Sequence, residues 1–271
     1  MLFPSPLKGE SRVRGSEKIV ESLSPSSRFT REMALYLTLV LFVSFTSAVL
    51  AGSLEKNIPV PVAHFSLADS MKAIEKNKDF VDISTYPGVL IDLRYASVNN
   101  FMGINMYGPI YGSGRKVFLH KDAAVKLKKA IKLLKKEKRG WSFLVFDALR
   151  PRSVQWMMWD KVKDTPQRKY VANPVIGSPH NYGMALDIGL TDGKNGELDF
   201  GTGFDSFTPL AEPKWEKKYL KMGKLTKKQV ANRLILRRAM TGAGFIQLSH
   251  EWWHYNALPE PEIRKEYTIV E

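Results

Sequence analysis

The strongest pattern along the chain is an almost unbroken apolar run, residues 34–51 (ALYLTLVLFVSFTSAVLA), preceded by Arg28 and Arg31 and closing on Ala51. A basic flank, an apolar stretch and a small final residue predict a secretory signal peptide cleaved after Ala51. Left uncleaved, a run of about eighteen residues sits at the short end of the range for a membrane-spanning helix. Residues 1–32 carry no hydrophobic periodicity and read as either a long leader or a mis-assigned start. Residues 52–79, with Pro59 and Pro61, read as a linker and N-terminal extension holding a short helical pattern over Leu67 to Lys78, and residues 80–271 as the main domain.

Within that domain the periodicity changes repeatedly. Val89 to Leu93 and WSFLVFD (141–147) are β-rich apolar runs suited to strands. Between Lys121 and Arg139, Leu127, Ala130, Ile131 and Leu134 recur at helical spacing, so the lysines fall on the opposite, solvated face. Tyr95 to Gly114 is rich in Asn, Gly, Tyr and Met and reads as a long binding loop. A second helix begins near Ser153. Ile188 to Leu190 continues a strand into a Gly/Asn turn at 192–197. Thr226 and Gln229 form a capping box for a helix that Gly242 or Gly244 ends. Phe245 to Leu248 reads as a strand. Helices and strands mix without regular βαβ alternation, which predicts an α+β fold with a mainly antiparallel sheet flanked by helices.

Composition narrows the chemistry. The 271 residues are 44% hydrophobic and 11% aromatic, ample for a packed core, and contain no cysteine. Disulfides, thiol nucleophiles, cysteine-ligated zinc and a lipoprotein anchor are therefore excluded. The formal charge is +14, and removing residues 1–51 takes away six basic and four acidic side chains and leaves +12. That excess favours anionic polymers such as nucleic acid, phospholipid or cell-wall material. The lysine-rich helix lacks the interleaved aromatic residues of a nucleic-acid surface, so it reads as a solvated amphipathic face, and no nucleic-acid partner is expected.

Two short runs concentrate histidine and carboxylate. GSPHNYGMALD (177–187) holds His180 and Asp187, and HEWWH (250–254) holds His250, Glu251 and His254, three of the chain's five histidines. Two imidazoles and a carboxylate are what a catalytic zinc takes when one position is kept for water. Glu251, three residues before His254, offers a carboxylate beside the metal that does not ligate it. Gly183 permits a turn that a side chain would block. Arg150 closes the FDALRP strand end, where a guanidinium either points into a cleft or pairs with Asp147. His64 and His120 have no such company and read as ordinary core or surface residues. From spacing alone a zinc site remains one reading among several, because no helical turn ties the ligands together.

The pattern SxHxxGxAxD (Ser178, His180, Gly183, Ala185, Asp187) together with ExxH (Glu251 to His254) resembles the zinc D-Ala-D-Ala peptidases that share the Hedgehog-type fold. IDLRYAS (91–97), FDALRP (146–151), GELDFGTGFD (196–205), NRLILRRAMTGAGF (232–245) and the doubled Trp of EWWH are similar to the D-alanyl-D-alanine dipeptidase branch. The resemblance spans roughly residues 80–258. It implies His180, Asp187 and His254 as ligands of one Zn²⁺, Glu251 as general base and acid, and Arg150 as the stabiliser of transition-state charge. It places Asp205 and Ser178 where the family binds the free amino group of the dipeptide.

The implied activity is hydrolysis of a small peptide, D-alanyl-D-alanine. The alternatives are a D,D- or L,D-carboxypeptidase acting on peptidoglycan peptides and a non-catalytic metal-binding wall-adhesion module. The expected location is periplasmic or otherwise extracytoplasmic, with membrane contact only through the N-terminal segment. Leu149 stands where the family often carries Tyr, so a polar contact near Arg150 is expected to be lost. The segment from Phe207 to Lys224, with Trp215 and several lysines, reads as an insertion at the cleft rim.

Overall fold

The computed structural model describes residues 66–108, 116–194 and 196–271. The leader, the apolar run, His64 and the extension up to residue 65 lie outside the described residues, as do 109–115 of the long loop. Among the described residues no helix is long and apolar enough to cross a membrane.

Helix α1 (Leu67–Lys76) starts where Ser66 Oγ accepts from the Asp69 amide at 3.2 Å, an N-cap that satisfies an otherwise orphaned donor. It falls within the stretch read as linker and extension, and it lays Ile74 against Phe118 and Leu149. The chain continues through β1 (Phe80–Asp82), β2 (Val89–Ile91), β3 (Phe118–His120), α2 (Lys121–Glu137), β4 (Ser142–Asp147) and α3 (Arg152–Val162). Then follow β5 (Ala185–Thr191), α4 (Glu216–Lys221), α5 (Lys227–Gly242), β6 (Ile246–Gln247), β7 (His254–Asn256) and α6 (Glu260–Glu266). β1 pairs antiparallel with β3, and the main sheet runs β2-β4-β5-β7-β6, parallel only between β2 and β4. The architecture is the expected α+β type, a mainly antiparallel sheet flanked by helices.

Hydrophobic spacing explains the packing. In α2 the residues Ala123, Leu127, Ala130, Ile131 and Leu134 are buried while Lys128, Lys129, Lys132, Lys135 and Lys136 stay in solvent. α2 packs against α5, whose Ile235, Leu236, Ala239 and Met240 complete the same core with Phe143 and Leu186 of the sheet. α5 opens with the anticipated capping box at Thr226 and Gln229. Its C-terminus is closed by Gly244 at φ +97° and a hydrogen bond from the Phe245 amide to the Met240 carbonyl. β5 is buried along its whole length, as a central strand covered on both faces must be.

The sheet also positions charge. Val145 lies opposite Ile188, but the register then shifts by one residue, so that Asp147 rather than Phe146 lies opposite Asp187. Asp187 in turn lies opposite His254. Residues paired directly across neighbouring strands project to one face, so Asp147, Asp187 and His254 form a row over three strands at one end of the sheet. The bulge in β4 makes this possible, because a one-residue slip reverses which face a side chain takes.

Gly183 ends the 3-10 turn Pro179–Tyr182 at φ +66°, and a Cβ there would stand 2.8 Å from the His120 backbone nitrogen. Gly103 has the same φ of +66° with nothing within 4 Å. Left-handed strain of about 1–2 kcal/mol acts on alanine at either site, while only Gly183 adds a backbone collision. Gly183→Ala is expected to lower the thermal midpoint clearly more than Gly103→Ala. Equal losses would show that the approach of His120 imposes nothing.

Candidate metal centre and substrate cleft

The register that pairs Asp187 with His254 leaves Asp187 Oδ1 2.9 Å from His254 Nδ1. The turn carrying His180 swings its imidazole over the same point, with Nε2 3.3 Å from His254 Nδ1 and 3.4 Å from Asp187 Oδ1. All three side chains are buried. Each ring is fixed from behind. His180 Nδ1 lies 2.7 Å from the Ala148 carbonyl, which can only accept, so the proton sits on Nδ1 and the Nε2 lone pair faces the cluster. His254 Nε2 lies 2.8 Å from Asn256 Oδ1, which holds its proton there and turns the Nδ1 lone pair inward.

A tetrahedral zinc with bonds of about 2.0–2.2 Å holds its ligand atoms roughly 3.2–3.6 Å apart. The separations of 3.3 and 3.4 Å fall in that range, and the 2.9 Å between His254 Nδ1 and Asp187 Oδ1 is a direct hydrogen bond that would open by about 0.3 Å to admit such an ion. Electrostatics agree. Burial alone would raise the Asp187 carboxyl, but His180 and His254 outweigh it and hold it far below the usual range. Burial likewise opposes charge on His254, yet the Asp187 hydrogen bond and charge hold its pKa up at about 9. Without a cation, His254 Nδ1 therefore carries a proton toward Asp187 at neutral pH, and its lone pair is free for a metal only when the ion displaces that proton.

The cluster forms part of the wall of a cavity of about 480 Å³ that also takes in Tyr95, Arg150, Ser178, Asp205 and Glu251. Glu251 approaches His254 Nδ1 to 3.9 Å, its side chain 16% exposed, and burial raises its carboxyl above the ordinary value against the opposing pull of His254. Arg150 realises both of its anticipated readings. Its Nε donates to Asp147 Oδ2 at 2.8 Å, its Nη2 also binds Asp147, and Nη1 donates to Gln155 Oε1 at 2.9 Å, while the guanidinium lies 4.9 Å from the Tyr95 ring centroid. One N–H on each Nη atom stays uncommitted. Burial works against this cation, but Asp147 more than offsets it, and the group stays charged.

Asp205 adopts φ +58°, a left-handed conformation uncommon outside glycine that suits Asp better than most residues. Its carboxylate accepts from Tyr95 Oη at 3.1 Å and from the Phe101 amide at 3.3 Å. Among the described residues no Lys, Arg or His comes within salt-bridge distance of it. Burial, reinforced by the Asp187 charge, pushes its carboxyl well above the usual range. Ser178 caps the turn that carries His180, its Oγ accepting from the His180 amide at 3.4 Å. His120 stands apart and caps α2, Nδ1 accepting from the Asp122 amide at 3.3 Å.

Leu149 corrects one expectation. Its side chain turns into the cluster with Ile74 and Phe118 and lines no part of the cleft, so its apolar character removes no contact from Arg150. The 207–224 segment does reach the cleft through Phe207, Thr208 and Glu212, whereas Trp215 does not.

The cleft also rests on residues that sequence reasoning passed over. Asn256 sits two residues past His254 on the same strand face, a spacing that could have flagged it. Glu216 of α4, almost fully buried, accepts from Arg237 Nη2 at 2.7 Å, and Arg237 Nε donates to Gln247 Oε1 at 2.5 Å. Gln247 Nε2 then donates to the Trp252 carbonyl and to Tyr255 Oη, both at 2.9 Å. Arg233, 3.6 Å from Glu216, donates through Nε to the Phe200 carbonyl at 2.7 Å, and Phe200 stacks on Trp252 at 4.0 Å. Both arms end on Trp252, the residue after Glu251. A lone Glu among lysines gave no sign of this direction.

Asn256→Ala frees the His254 ring to turn. Loss of such an outer partner typically weakens a metal site 10–100-fold, and competition with a chelator is expected to read a fall of that size. Gln247→Leu unties Trp252 without touching a ligand, so metal content is expected to hold while turnover falls.

A family model described as D-ala-D-ala dipeptidase, Peptidase_M15, matches residues 76–270. A D-alanyl-D-alanine dipeptidase of Escherichia coli K12 is 34% identical over 183 residues, covering 67% of this chain and 86% of that protein. One from Streptomyces coelicolor is 27% identical over 198 residues, covering 67% and 92%. One from Enterococcus faecium is 30% identical over 190 residues, covering 64% and 88%. With a match over most of its length and a metal-binding constellation to suit, the chain belongs to the D-Ala-D-Ala dipeptidase family of metallopeptidases.

Proposed function

We propose that this chain is an exported zinc dipeptidase that hydrolyses D-alanyl-D-alanine to two D-alanines, with His180, Asp187 and His254 as the zinc ligands. The observation that carries the reading is Asp205, a desolvated carboxyl group without a counter-cation among the described residues, in the same cavity as the ligand cluster. A substrate ammonium supplies the opposite charge. A blocked amino terminus brings none, so the buried carboxyl keeps its proton and the charged contact is lost. That contact separates a dipeptidase from a carboxypeptidase acting on longer wall peptides.

A zinc ion in this set supplies a Lewis acid that polarises the scissile carbonyl and acidifies the attacking water. Glu251 accepts the water's proton as the C–O bond forms and returns it to the leaving amine, and its raised pKa suits it to both transfers. Arg150, held by Asp147 and Gln155 with N–H groups to spare, faces the charge that grows on the carbonyl oxygen. Loss of such a donor typically costs on the order of 10²–10³ in rate. Ser178 steadies the His180 turn and presents its hydroxyl to the cleft. The apolar run at 34–51 with its basic flank supports export, which would bring the enzyme to extracytoplasmic wall peptides or free dipeptide.

Glu251→Gln is expected to retain metal and lose hydrolysis by at least about a hundredfold, within the range for a general base. Unchanged turnover would remove Glu251 from the mechanism. Incubation of the protein with D-Ala-D-Ala, L-Ala-L-Ala and N-acetyl-D-Ala-D-Ala is expected to release D-Ala from the first alone and to stop on chelation. Asp205→Asn is expected to narrow the gap between free and acetylated dipeptide by losing activity on the free one. Equal cleavage of both substrates by the parent protein would favour the carboxypeptidase reading.

A further inference from the structure

The segment Lys214–Lys224, with α4 at its centre, has two faces. Its inner face sends Glu216 to Arg237 and Arg233, so the one acidic residue of the segment contributes no charge outward. Its outer face holds Trp215 at 41% exposure and Met222 at 53%, large apolar groups in a stretch where every other charge is a lysine. Lys214 pairs with Glu212 at 2.7 Å, while Lys217, Lys218, Lys221 and Lys224 have no carboxylate within salt-bridge distance among the described residues. The lysines gather about the rings. Lys214 and Lys218 place Nζ 5.8 and 5.1 Å from the Trp215 ring centroid, and Lys218 and Lys224 lie 5.8 and 5.9 Å from that of Tyr219.

We propose that this outer face is a docking surface for an anionic lipid bilayer. Trp and Tyr settle at the headgroup level, where an apolar ring and a polar edge are both satisfied. Lysine stems lie along apolar surface while their ammonium groups reach anionic headgroups. A nucleic acid or a sugar needs an open ring face to stack on, and here ammonium groups sit over the rings. α2 serves as an internal contrast, since it is as rich in exposed lysine but presents only Val125 and no aromatic ring. Left uncleaved, the apolar run at 34–51 would hold a bilayer within reach of this domain. Residues 52–65 separate the apolar run from Ser66, and fully extended they span at most about 50 Å.

The absence of cysteine allows a site-specific test on the full chain that the apolar run cannot mimic. Met222→Cys carries an environment-sensitive dye, and Val98→Cys, at a position 70% exposed elsewhere on the surface, carries the same dye as a control. Vesicles of phosphatidylcholine with one part in three phosphatidylglycerol are expected to shift the emission at 222 to the blue, to leave 98 unchanged and to lose the effect in molar salt. At roughly 1 kcal/mol per lysine near an anionic surface, each lysine neutralised corresponds to about a fivefold weaker partition. Lys217→Gln, Lys218→Gln and Lys221→Gln combined are expected to weaken it more than tenfold with the thermal midpoint unchanged. No anion-dependent shift at 222, an equal shift at 98, or a shift produced by single-stranded DNA in place of vesicles would overturn the proposal.

Discussion

The register of three strands is the constraint on which the centre depends. Antiparallel pairing of Asp187 with His254, and the bulge that brings Asp147 opposite Asp187, put three ionisable side chains in one row at one end of the sheet. Everything else is arranged around that row. The strand end after β4 supplies the Ala148 carbonyl that fixes the His180 tautomer, and the Arg150 amide donates to the His180 carbonyl at 3.0 Å. Asn181 Nδ2 returns a hydrogen bond to the Arg150 carbonyl at 2.8 Å. The turn bearing a ligand and the strand end bearing the arginine are thus braced against each other, and neither moves alone.

Desolvation gives the row its chemistry. Each carboxylate drawn out of water requires positive charge nearby or a raised pKa, and the cleft answers this demand differently at each position. Asp147 has Arg150. Asp187 has two imidazoles whose inward nitrogens suit a metal. Asp205 has only neutral hydrogen-bond donors and a raised pKa, and Glu251 stands 3.9 Å from His254 Nδ1. The four carboxylates thus sit in four different environments, although Asp187 and Glu251 share His254.

Much of this was legible in the sequence because it lies in short local patterns. The lysine-rich helix, the strand of WSFLVFD, the capping box at Thr226 and the turn at Gly183 each follow from periodicity or from one residue's backbone needs. The histidine and carboxylate runs pointed to a metal before any geometry was known. The bulge in β4 was not legible, since Phe146 and Asp147 carry no residue type that marks a register shift. A backbone acceptor such as the Ala148 carbonyl leaves no trace in side-chain identity. The clamp from Glu216 through Arg237 and Gln247 joins residues distant in sequence, and burial of a glutamate within a lysine-rich stretch runs against the surface reading its composition invites. The expectation at Leu149 came from the residue type the family carries there, and residue type alone does not tell which way a side chain turns at an irregular strand end.

The proposed ligand set brings three named atoms together at one ion. Anomalous diffraction from crystals of the zinc-loaded protein, collected on either side of the zinc absorption edge, tests this directly. The expected result is a single strong peak within bonding distance of His180 Nε2, His254 Nδ1 and Asp187 Oδ1, with His254 Nε2 still directed at Asn256. A peak bonded instead to Glu251 or Asp205, or to His254 through Nε2, would contradict both the ligand set and the tautomers that the surrounding hydrogen bonds impose.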